Sequence, residues 1–350
     1  MAYEIASLSA LADHGFDAVI DVRAPSEFAV DRLPGAVNLP VLSDAERARV
    51  GTVYTRQSAF LARKIGAALV ARNAAAHIEG PLAHHDGGWR PLVYCWRGGQ
   101  RSQSFAAILG QIGWRVEVVA GGYRSYRRAV SAALYDAALP HRLVLLDGLT
   151  GTAKTALLHG VAARGGQILD LEGLARHRGS VFGAVRGGQP DQKAFESALA
   201  MALVGLDPDR PVLVEAESSR IGVLTLPPAL WKAMTAAPRL LVEAPLGARA
   251  SYLLEAYADI VADPDRLDAT LAALTRLQGH ARVAAWREMA RDGRLTALAE
   301  ELMRDHYDPR YTRQQARNGQ APVARLGAAR LDAAGRAELA QRLTETLAEM

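Results

Sequence analysis

Short apolar runs rich in β-branched residues alternate with segments of helical character, and this alternation restricts the possible folds more than any other feature. Strands separated by helices form parallel sheets. From Gly247 onward the pattern is helical and rich in Ala, Leu and Arg. The sequence therefore predicts an α/β fold with two successive parallel-sheet domains and a helical C-terminal region. The main predicted strands are Ala18–Arg23, Pro91–Cys95, Val116–Ala120, Arg142–Asp147, Pro211–Glu215 and Arg239–Glu243.

The length of 350 residues also favours more than one domain, because single cores rarely grow beyond about 250–300 residues. We expect the first domain over residues 1–138, the second over residues 139–246 and the helical region over residues 247–350.

Composition excludes several classes of protein. No apolar run approaches the roughly 18 residues of a membrane span, and the N-terminal residues lack the pattern of a secretory signal. The single cysteine, Cys95, excludes an internal disulfide and a cysteine-built zinc site. We therefore expect a cytoplasmic protein without a membrane partner. His84 and His85 are adjacent in a polar loop and point in different directions, so no metal site is predicted at His84, His85 and Asp86.

The formal charge of +4 arises within the first 130 residues, which hold 15 Lys and Arg against 11 Asp and Glu. This balance permits a polyanionic partner such as RNA without requiring one. In the C-terminal region Arg287 and Arg291 lie four residues apart and share a helix face. That face could contact an RNA backbone, and it could equally be a solvated surface.

A cysteine ends the strand Pro91–Cys95, and a glycine-containing turn and a helix follow it. This order directs backbone N–H groups and a helix N-terminus toward the sulfur. Gly98 and Gly99 permit positive φ values, while Arg97 and Arg101 add positive charge. All three factors favour the thiolate, so we predict that Cys95 is a nucleophile, with Arg97 and Arg101 as its catalytic partners.

The residues around this loop resemble a rhodanese domain. The supporting segments are Asp21-Val22-Arg23, Glu27-Phe28 and Leu33-Pro34-Gly35-Ala36-Val37-Asn38. The resemblance implies that Cys95 matches the sulfur-carrying cysteine of that family. Five residues separate Cys95 from Arg101, one more than in common rhodanese loops. Cysteine phosphatases of related fold have the same longer loop.

A second glycine-rich turn, Asp147 to Thr155, follows a strand and opens a helix. Gly148, Lys154 and Thr155 match the phosphate-loop template, Gly151 supplies backbone freedom, and Ala153 replaces the second template glycine. Ala153 is tolerated if its φ is already helical. We predict that Lys154 reaches outer phosphates and that Thr155 can ligate Mg²⁺. Glu217, after the strand Pro211–Glu215, is a further predicted ligand-binding residue.

Arg176, His177, Arg178 and Ser180 form a compact anion-binding cluster by composition. With the two glycine-rich loops, the surrounding motifs resemble the bacterial tRNA 2-selenouridine synthase family over residues 17 to 312. The segments that carry this resemblance are residues 95–102, 121–127, 170–180, 182–183, 189–190, 217–222 and 306–311.

The resemblance implies an enzyme that replaces the sulfur of wobble 2-thiouridine by selenium through an S-geranyl intermediate. Its co-substrates would be geranyl diphosphate and selenophosphate. Its partners would be the anticodon region of tRNA and a protein that supplies selenophosphate. Spacing alone does not assign a ligand to the phosphate loop. Two alternatives remain open, namely a cysteine phosphatase fused to a P-loop small-molecule kinase, and a nucleotide-sensing binding module.

Overall fold

The computed structural model describes residues 2–318 and 321–350 of the chain. The chain divides into two compact units. Unit 1 comprises residues 1–137 and 190–205, and unit 2 comprises residues 138–189 and 206–350.

The strands and helices follow one another in the order expected for α/β units. The strands are β1 (Ala2–Tyr3), β2 (Ala18–Asp21), β3 (Val37–Asn38), β4 (Pro91–Tyr94), β5 (Glu117–Val119), β6 (Arg142–Gly148), β7 (Gln167–Leu169), β8 (Pro211–Glu215), β9 (Arg220–Ile221), β10 (Leu224–Thr225), β11 (Arg239–Glu243) and β12 (Ala324–Gly327). The helices are α1 (Leu8–Ala12), α2 (Pro25–Val30), α3 (Asp44–Arg56), α4 (Ala59–Glu79), α5 (Gln100–Ile112), α6 (Tyr123–Ser131), α7 (Lys154–Ala162), α8 (Leu171–Ala175), α9 (Gln192–Val204), α10 (Pro228–Ala236), α11 (Leu246–Ala256), α12 (Ala258–Val261), α13 (Pro264–Ala272), α14 (Thr275–Gln278), α15 (His280–Arg291), α16 (Leu295–Leu302), α17 (Asp308–Asn318) and α18 (Ala333–Ala348). Short π-helical turns at Ala132–Asp136 and Met303–Tyr307 continue α6 and α16.

Unit 1 contains a parallel sheet in the order β1-β5-β4-β2-β3. Every residue of its central strand β4 is buried, as expected when helices cover both faces of a parallel sheet. The buried Asp21–Arg23 ion pair, 2.6 Å long, lies at the end of β2. The Asn38 side chain donates to the carbonyls of both residues and so joins β3 to this end. Residues 21–23 and 33–38, two of the segments that resemble a rhodanese domain, are therefore joined at one end of this sheet.

Helix α9 belongs to unit 1, although the predicted second domain, residues 139–246, contained it. Ser197 donates a hydrogen bond of 2.9 Å to the buried Asp31 carboxylate, and Arg127 forms an ion pair with Glu196. Glu196 and Ser197 are buried in the structure. The placement of this helix thus depends on polar partners that lie far away in the sequence. A local sequence pattern does not reveal such partners.

Unit 2 contains a second parallel sheet, in the order β12-β11-β6-β8-β7. Residues 247–350 are mainly helical, as predicted, but β12 pairs with β11 and extends this sheet. Helix α18 packs closely on α7, where a Cβ added at Gly160 would lie 2.7 Å from the Ala340 side chain. The C-terminal residues therefore add a strand and a packed helix to the second sheet domain.

Both parallel sheets confirm the predicted α/β fold class. Within the described ranges, no helix combines the length and apolar character needed to cross a bilayer.

Candidate active site

Cys95 directly follows the buried strand β4, and its side chain lies in the core of unit 1 with 3% exposure. The hydroxyl of Ser102, on the first turn of α5, lies 3.2 Å from the sulfur. The same hydroxyl lies 3.1 Å from the Gly99 carbonyl oxygen. The polar contact at the sulfur therefore includes a side chain that sequence analysis did not single out.

The turn between β5 and α6 holds the cysteine loop in place. The Tyr123 N–H donates to the Cys95 carbonyl over 2.8 Å. Gly122 has φ +60°, and a Cβ there would lie 2.3 Å from the same carbonyl oxygen. Gly98 also has positive φ, +66°, whereas Gly99 has φ −92°. Of the two predicted glycines only Gly98 uses the left-handed region, and Gly122 is the second glycine that the loop needs.

The two predicted catalytic arginines differ in their surroundings. Arg97 is exposed. Arg101 donates to a Glu27 carboxylate oxygen over 2.8 Å. Burial opposes ionisation of Glu27, but the hydrogen bond from Arg101 and the nearby charges hold its pKa below the ordinary value. The charge of Arg101 is therefore compensated by Glu27, which the prediction of a free cation beside Cys95 did not include.

Tyr123 and Tyr126 belong to the core of unit 1, with exposures of 3% and 0%. The Tyr123 hydroxyl donates to the Asp31 carboxylate over 2.8 Å. Both rings therefore serve core packing.

In unit 2 the phosphate loop connects β6 to α7. Gly148 has φ +156° and Gly151 has φ +84°, as the tight turn requires. The Lys154 ammonium group donates to the Gly148 carbonyl over 2.9 Å and lies 5.1 Å from the centre of the Tyr311 ring. The strand–loop–helix context predicted for this motif is present.

Ala153 adopts φ +61° and ψ +28° at the N-cap of α7. The sequence analysis accepted alanine here on condition of a helical φ, and the structure does not meet that condition. A left-handed conformation costs an alanine roughly 1–2 kcal/mol relative to the right-handed one. The loop therefore retains the backbone geometry of a glycine at a position that holds alanine.

The Arg249 side chain stabilises the phosphate loop. Its guanidinium donates to the Thr150 carbonyl over 3.0 Å and pairs with the Asp308 carboxylate at 2.9 Å. A Cβ added at Gly151 would lie 3.1 Å from Arg249, so the loop can approach this side chain only with glycine there. The segment 306–311, quoted above for its resemblance, thus contacts the phosphate loop through Asp308.

Three carboxylates meet beside the loop, from Glu172, Glu215 and Glu217, with one oxygen of each within 4.8 Å of the others. Burial is the largest cause that raises the pKa of Glu172 and Glu215 to about 8 and that of Glu217 to about 7, and mutual repulsion adds to it. Thr155 donates to Glu172 over 3.0 Å. Sequence analysis predicted Glu217 and missed Glu172, which closely follows the strand β7.

This cluster fits Mg²⁺, since both oxygens of Glu215 are buried and have no hydrogen-bond partner among the described residues. Carboxylate and hydroxyl oxygens are the ligands that Mg²⁺ prefers. Glu172, Glu215, Glu217 and Thr155 are the residues that would hold it.

The predicted anion cluster at residues 176–180 divides in the structure. Arg178 and Ser180 line the cavity beside the phosphate loop, and Arg178 pairs with Asp259 at 2.9 Å. Arg176 is exposed, and it ends α8 with φ +48°. His177 is half-buried, and burial lowers its pKa. Neither Arg176 nor His177 belongs to the described lining of the cavity.

The cavity has a volume of about 530 Å³. Its lining combines the phosphate loop with the three carboxylates and with cationic and aromatic side chains from later in the chain. The residues that decide its chemistry are Lys154, Thr155, Glu172, Arg178, Ser180, Glu215, Glu217, Arg310 and Tyr311. Such a site can bind a phosphorylated ligand together with a divalent cation.

The C-terminal arginines proposed for RNA contact include Arg287, which pairs with Asp268 at 2.5 Å on an exposed surface. Hydrogen bonding to Asp268 is the main cause that raises the pKa of Arg287. The charge of Arg287 is therefore paired, and the role of this face in RNA binding stays a prediction.

Comparison with known families separates the chain into the same two kinds of module. Residues 4–129 match the rhodanese-like domain, and residues 141–268 match the tRNA 2-selenouridine synthase AAA domain.

Curated relatives described as tRNA 2-selenouridine synthase match much of the chain. The protein of Cupriavidus necator is 37% identical over 331 residues, which cover 85% of this chain and 88% of the relative. That of Cupriavidus pinatubonensis is 34% identical over 88% of this chain and 91% of the relative. The Nitrosomonas europaea protein is 37% identical over 246 residues, covering 68% of this chain and 63% of the relative.

Proposed function

Since the chain belongs to the tRNA 2-selenouridine synthase family, we propose that it modifies tRNA by replacing the sulfur of wobble 2-thiouridine with selenium. The reaction uses geranyl diphosphate and selenophosphate as co-substrates. The observation that carries this proposal is the cavity of unit 2, where Lys154 and Arg178 lie with a phosphate loop and a carboxylate cluster. Both co-substrates carry phosphate groups that suit such a cavity.

The first chemical step is alkylation of the thiouridine sulfur. The sulfur attacks the first carbon of the geranyl chain, the carbon–oxygen bond breaks and diphosphate leaves with the electron pair. Lys154 and Arg178 stabilise the charge that grows on the departing oxygens. Glu172, Glu215 and Glu217 would hold a Mg²⁺ ion, which would neutralise further negative charge on the diphosphate.

The second step exchanges sulfur for selenium. The selenium of selenophosphate adds at C2 of the base and geranyl thiolate leaves; water then cleaves the phosphorus–selenium bond and phosphate is released. Alkylation has made the sulfur a better leaving group, so the order of the steps follows from the chemistry. We assign Cys95 to this second step, on the support of its position at the end of β4 and of the Ser102 contact at its sulfur.

A deletion strain complemented with variants tests both steps, with wobble nucleosides measured by mass spectrometry. Wild-type protein should restore 2-selenouridine, and Cys95→Ala should yield S-geranyl-2-thiouridine without 2-selenouridine. Lys154→Met should abolish both products, whereas Lys232→Met, at an exposed lysine of unit 2, should abolish neither.

Unchanged 2-selenouridine in the deletion strain would refute the proposed function. Equal loss of both products in Cys95→Ala would refute the assignment of Cys95 to the second step alone. Phosphate release from aryl phosphates that depends on Cys95 would instead favour the cysteine phosphatase.

A further inference from the structure

A second pocket of unit 2 opens beside the phosphate-loop cavity, and its character is different. The two share five lining residues, which are Thr150, Ser180, Leu253, Tyr257 and Tyr307. The second pocket has a cavity volume of about 80 Å³, which is smaller than the 530 Å³ of the phosphate-loop cavity.

Helices α11, α12, α13 and α16 form the walls of this apolar pocket. Beyond the shared residues its lining is entirely apolar, and it consists of Phe182, Leu254, Ile260, Val261, Leu267, Leu295, Leu298, Ala299, Leu302 and Met303. The pocket lies against the buried cluster of the helical region, in which Trp286 is completely buried. A ligand part that enters here would exchange water for hydrocarbon contacts over most of its surface.

The change from polar to apolar surroundings occurs across a few side chains. Ser180 Oγ lies 3.3 Å from the Tyr257 hydroxyl oxygen, and the Arg178 guanidinium lies 4.9 Å from the centre of the Tyr257 ring. Arg178 belongs to the lining of the phosphate-loop cavity, whereas Leu254 and Ile260 belong only to the apolar pocket. Tyr257 therefore offers its hydroxyl group to a ligand part in the phosphate-loop cavity and its ring to a ligand part in the apolar pocket.

We propose that the two spaces form one site for a diphosphate ester of a branched hydrocarbon, with the diphosphate at the phosphate loop and the chain in the apolar pocket. This inference rests on the proposed function, because it assigns the phosphate loop to the geranyl donor. A nucleotide would have to place a base with several hydrogen-bonding groups against this apolar lining, which would leave those groups unsatisfied.

Direct binding to the full chain without tRNA tests the proposal. Calorimetric titration compares geranyl diphosphate, dimethylallyl diphosphate and inorganic pyrophosphate, all in the presence of Mg²⁺. We expect affinity to rise at least about tenfold from pyrophosphate to the ten-carbon ester, since even one methylene in an apolar pocket is worth about tenfold or more. Equal affinity for all three ligands would overturn the proposal, and this comparison needs no variant.

Substitution of a lining residue provides the second arm. Leu254→Trp fills the pocket and should weaken geranyl diphosphate binding by about tenfold or more while leaving pyrophosphate binding unchanged. Leu277→Trp is the matched control, because Leu277 is 52% exposed in the same unit and is not part of the lining. An unchanged affinity of Leu254→Trp for the ester would contradict the proposal.

The outcomes separate this inference from the proposed function. If the protein binds geranyl diphosphate through its hydrocarbon but forms no geranylated nucleoside, the apolar-pocket proposal stands and the proposed function is refuted. If the protein forms the nucleoside but binds the ester no better than pyrophosphate, the proposed function stands and the apolar-pocket proposal is refuted.

Discussion

The hydroxyl oxygen of Ser102 lies 3.2 Å from the sulfur of Cys95 and 3.1 Å from the carbonyl oxygen of Gly99. A serine hydroxyl has a single proton to donate. It can donate to the carbonyl while the sulfur is a thiol and to the sulfur once this is a thiolate. The contact thus places a hydroxyl donor beside the sulfur within a buried environment.

Ser102→Ala should slow alkylation of Cys95 by iodoacetamide at neutral pH roughly three- to tenfold. A hydrogen bond to a charged group contributes about 1.5–3 kcal/mol, and sulfur accepts more weakly than oxygen. Mass spectrometry of the alkylated protein over time gives the rate. Ser104→Ala, an exposed position on the same helix, should leave it unchanged. An equal rate in both variants would show that the Ser102 hydroxyl does not stabilise the thiolate.

Gly122→Ala should destabilise unit 1 by about 3 kcal/mol or more. The positive φ costs alanine about 1–2 kcal/mol, and the new Cβ would lie 2.3 Å from the Cys95 carbonyl oxygen. Gly15→Ala is the matched control, since Gly15 has φ +69° and no atom within 4 Å of an added Cβ. Denaturant unfolding measures both free energies. Equal losses of unfolding free energy in the two variants would mean that the cysteine loop rearranges around the new Cβ at little cost.

The carboxylate cluster should make the protein less stable as the pH rises. The pKa of Glu172 and Glu215 is raised to about 8, whereas an unfolded glutamate titrates near 4.3. The folded state therefore binds more protons between these values, and its free energy of unfolding should fall as pH increases through that window. Mg²⁺ should restore stability most strongly at the alkaline end.

Denaturant unfolding at a series of pH values, with and without Mg²⁺, measures this effect. Glu215→Gln should flatten the pH dependence and reduce stabilisation by Mg²⁺. Glu243→Gln, at a half-exposed residue of the same unit, should change neither. If Mg²⁺ stabilises Glu215→Gln as much as it stabilises the wild-type protein, Glu215 is not a ligand of the ion.

Asp308→Asn should cost about 2 kcal/mol of stability, because it leaves the Arg249 guanidinium, 6% exposed, without its carboxylate partner. Loss of one partner of a fully buried pair costs about 3–5 kcal/mol, and Asp308 is 21% exposed. The exposed Asp292–Arg294 pair, at 3.7 Å, offers a control in Asp292→Asn with an expected loss under about 0.5 kcal/mol. Thermal unfolding compares the two, and similar losses would argue against a supporting role for Arg249.

The two loops were predictable because their signals are local. Positive-φ glycines, a strand before and a helix after are properties of a dozen consecutive residues, as at Asp147 to Thr155. The partner of Arg101 was not predictable, because Glu27 lies 74 residues earlier in the chain. The left-handed Ala153 was not predictable either, since it departs from the residue preference on which such predictions depend.

Residue order alone was enough to predict the α/β class, the order of the modules, the family, the position of Cys95 at the end of a strand and that of Lys154 at the start of a helix. Periodicity and glycine placement suffice for these, because each depends on near neighbours along the chain. Three-dimensional contacts were needed to show that Glu172, Glu215 and Glu217 meet, that α9 joins unit 1, and that an apolar pocket adjoins the phosphate loop. Parallel strands separated by long connections bring their carboxyl ends to one edge of a sheet, so these contacts depend on sheet order and helix packing.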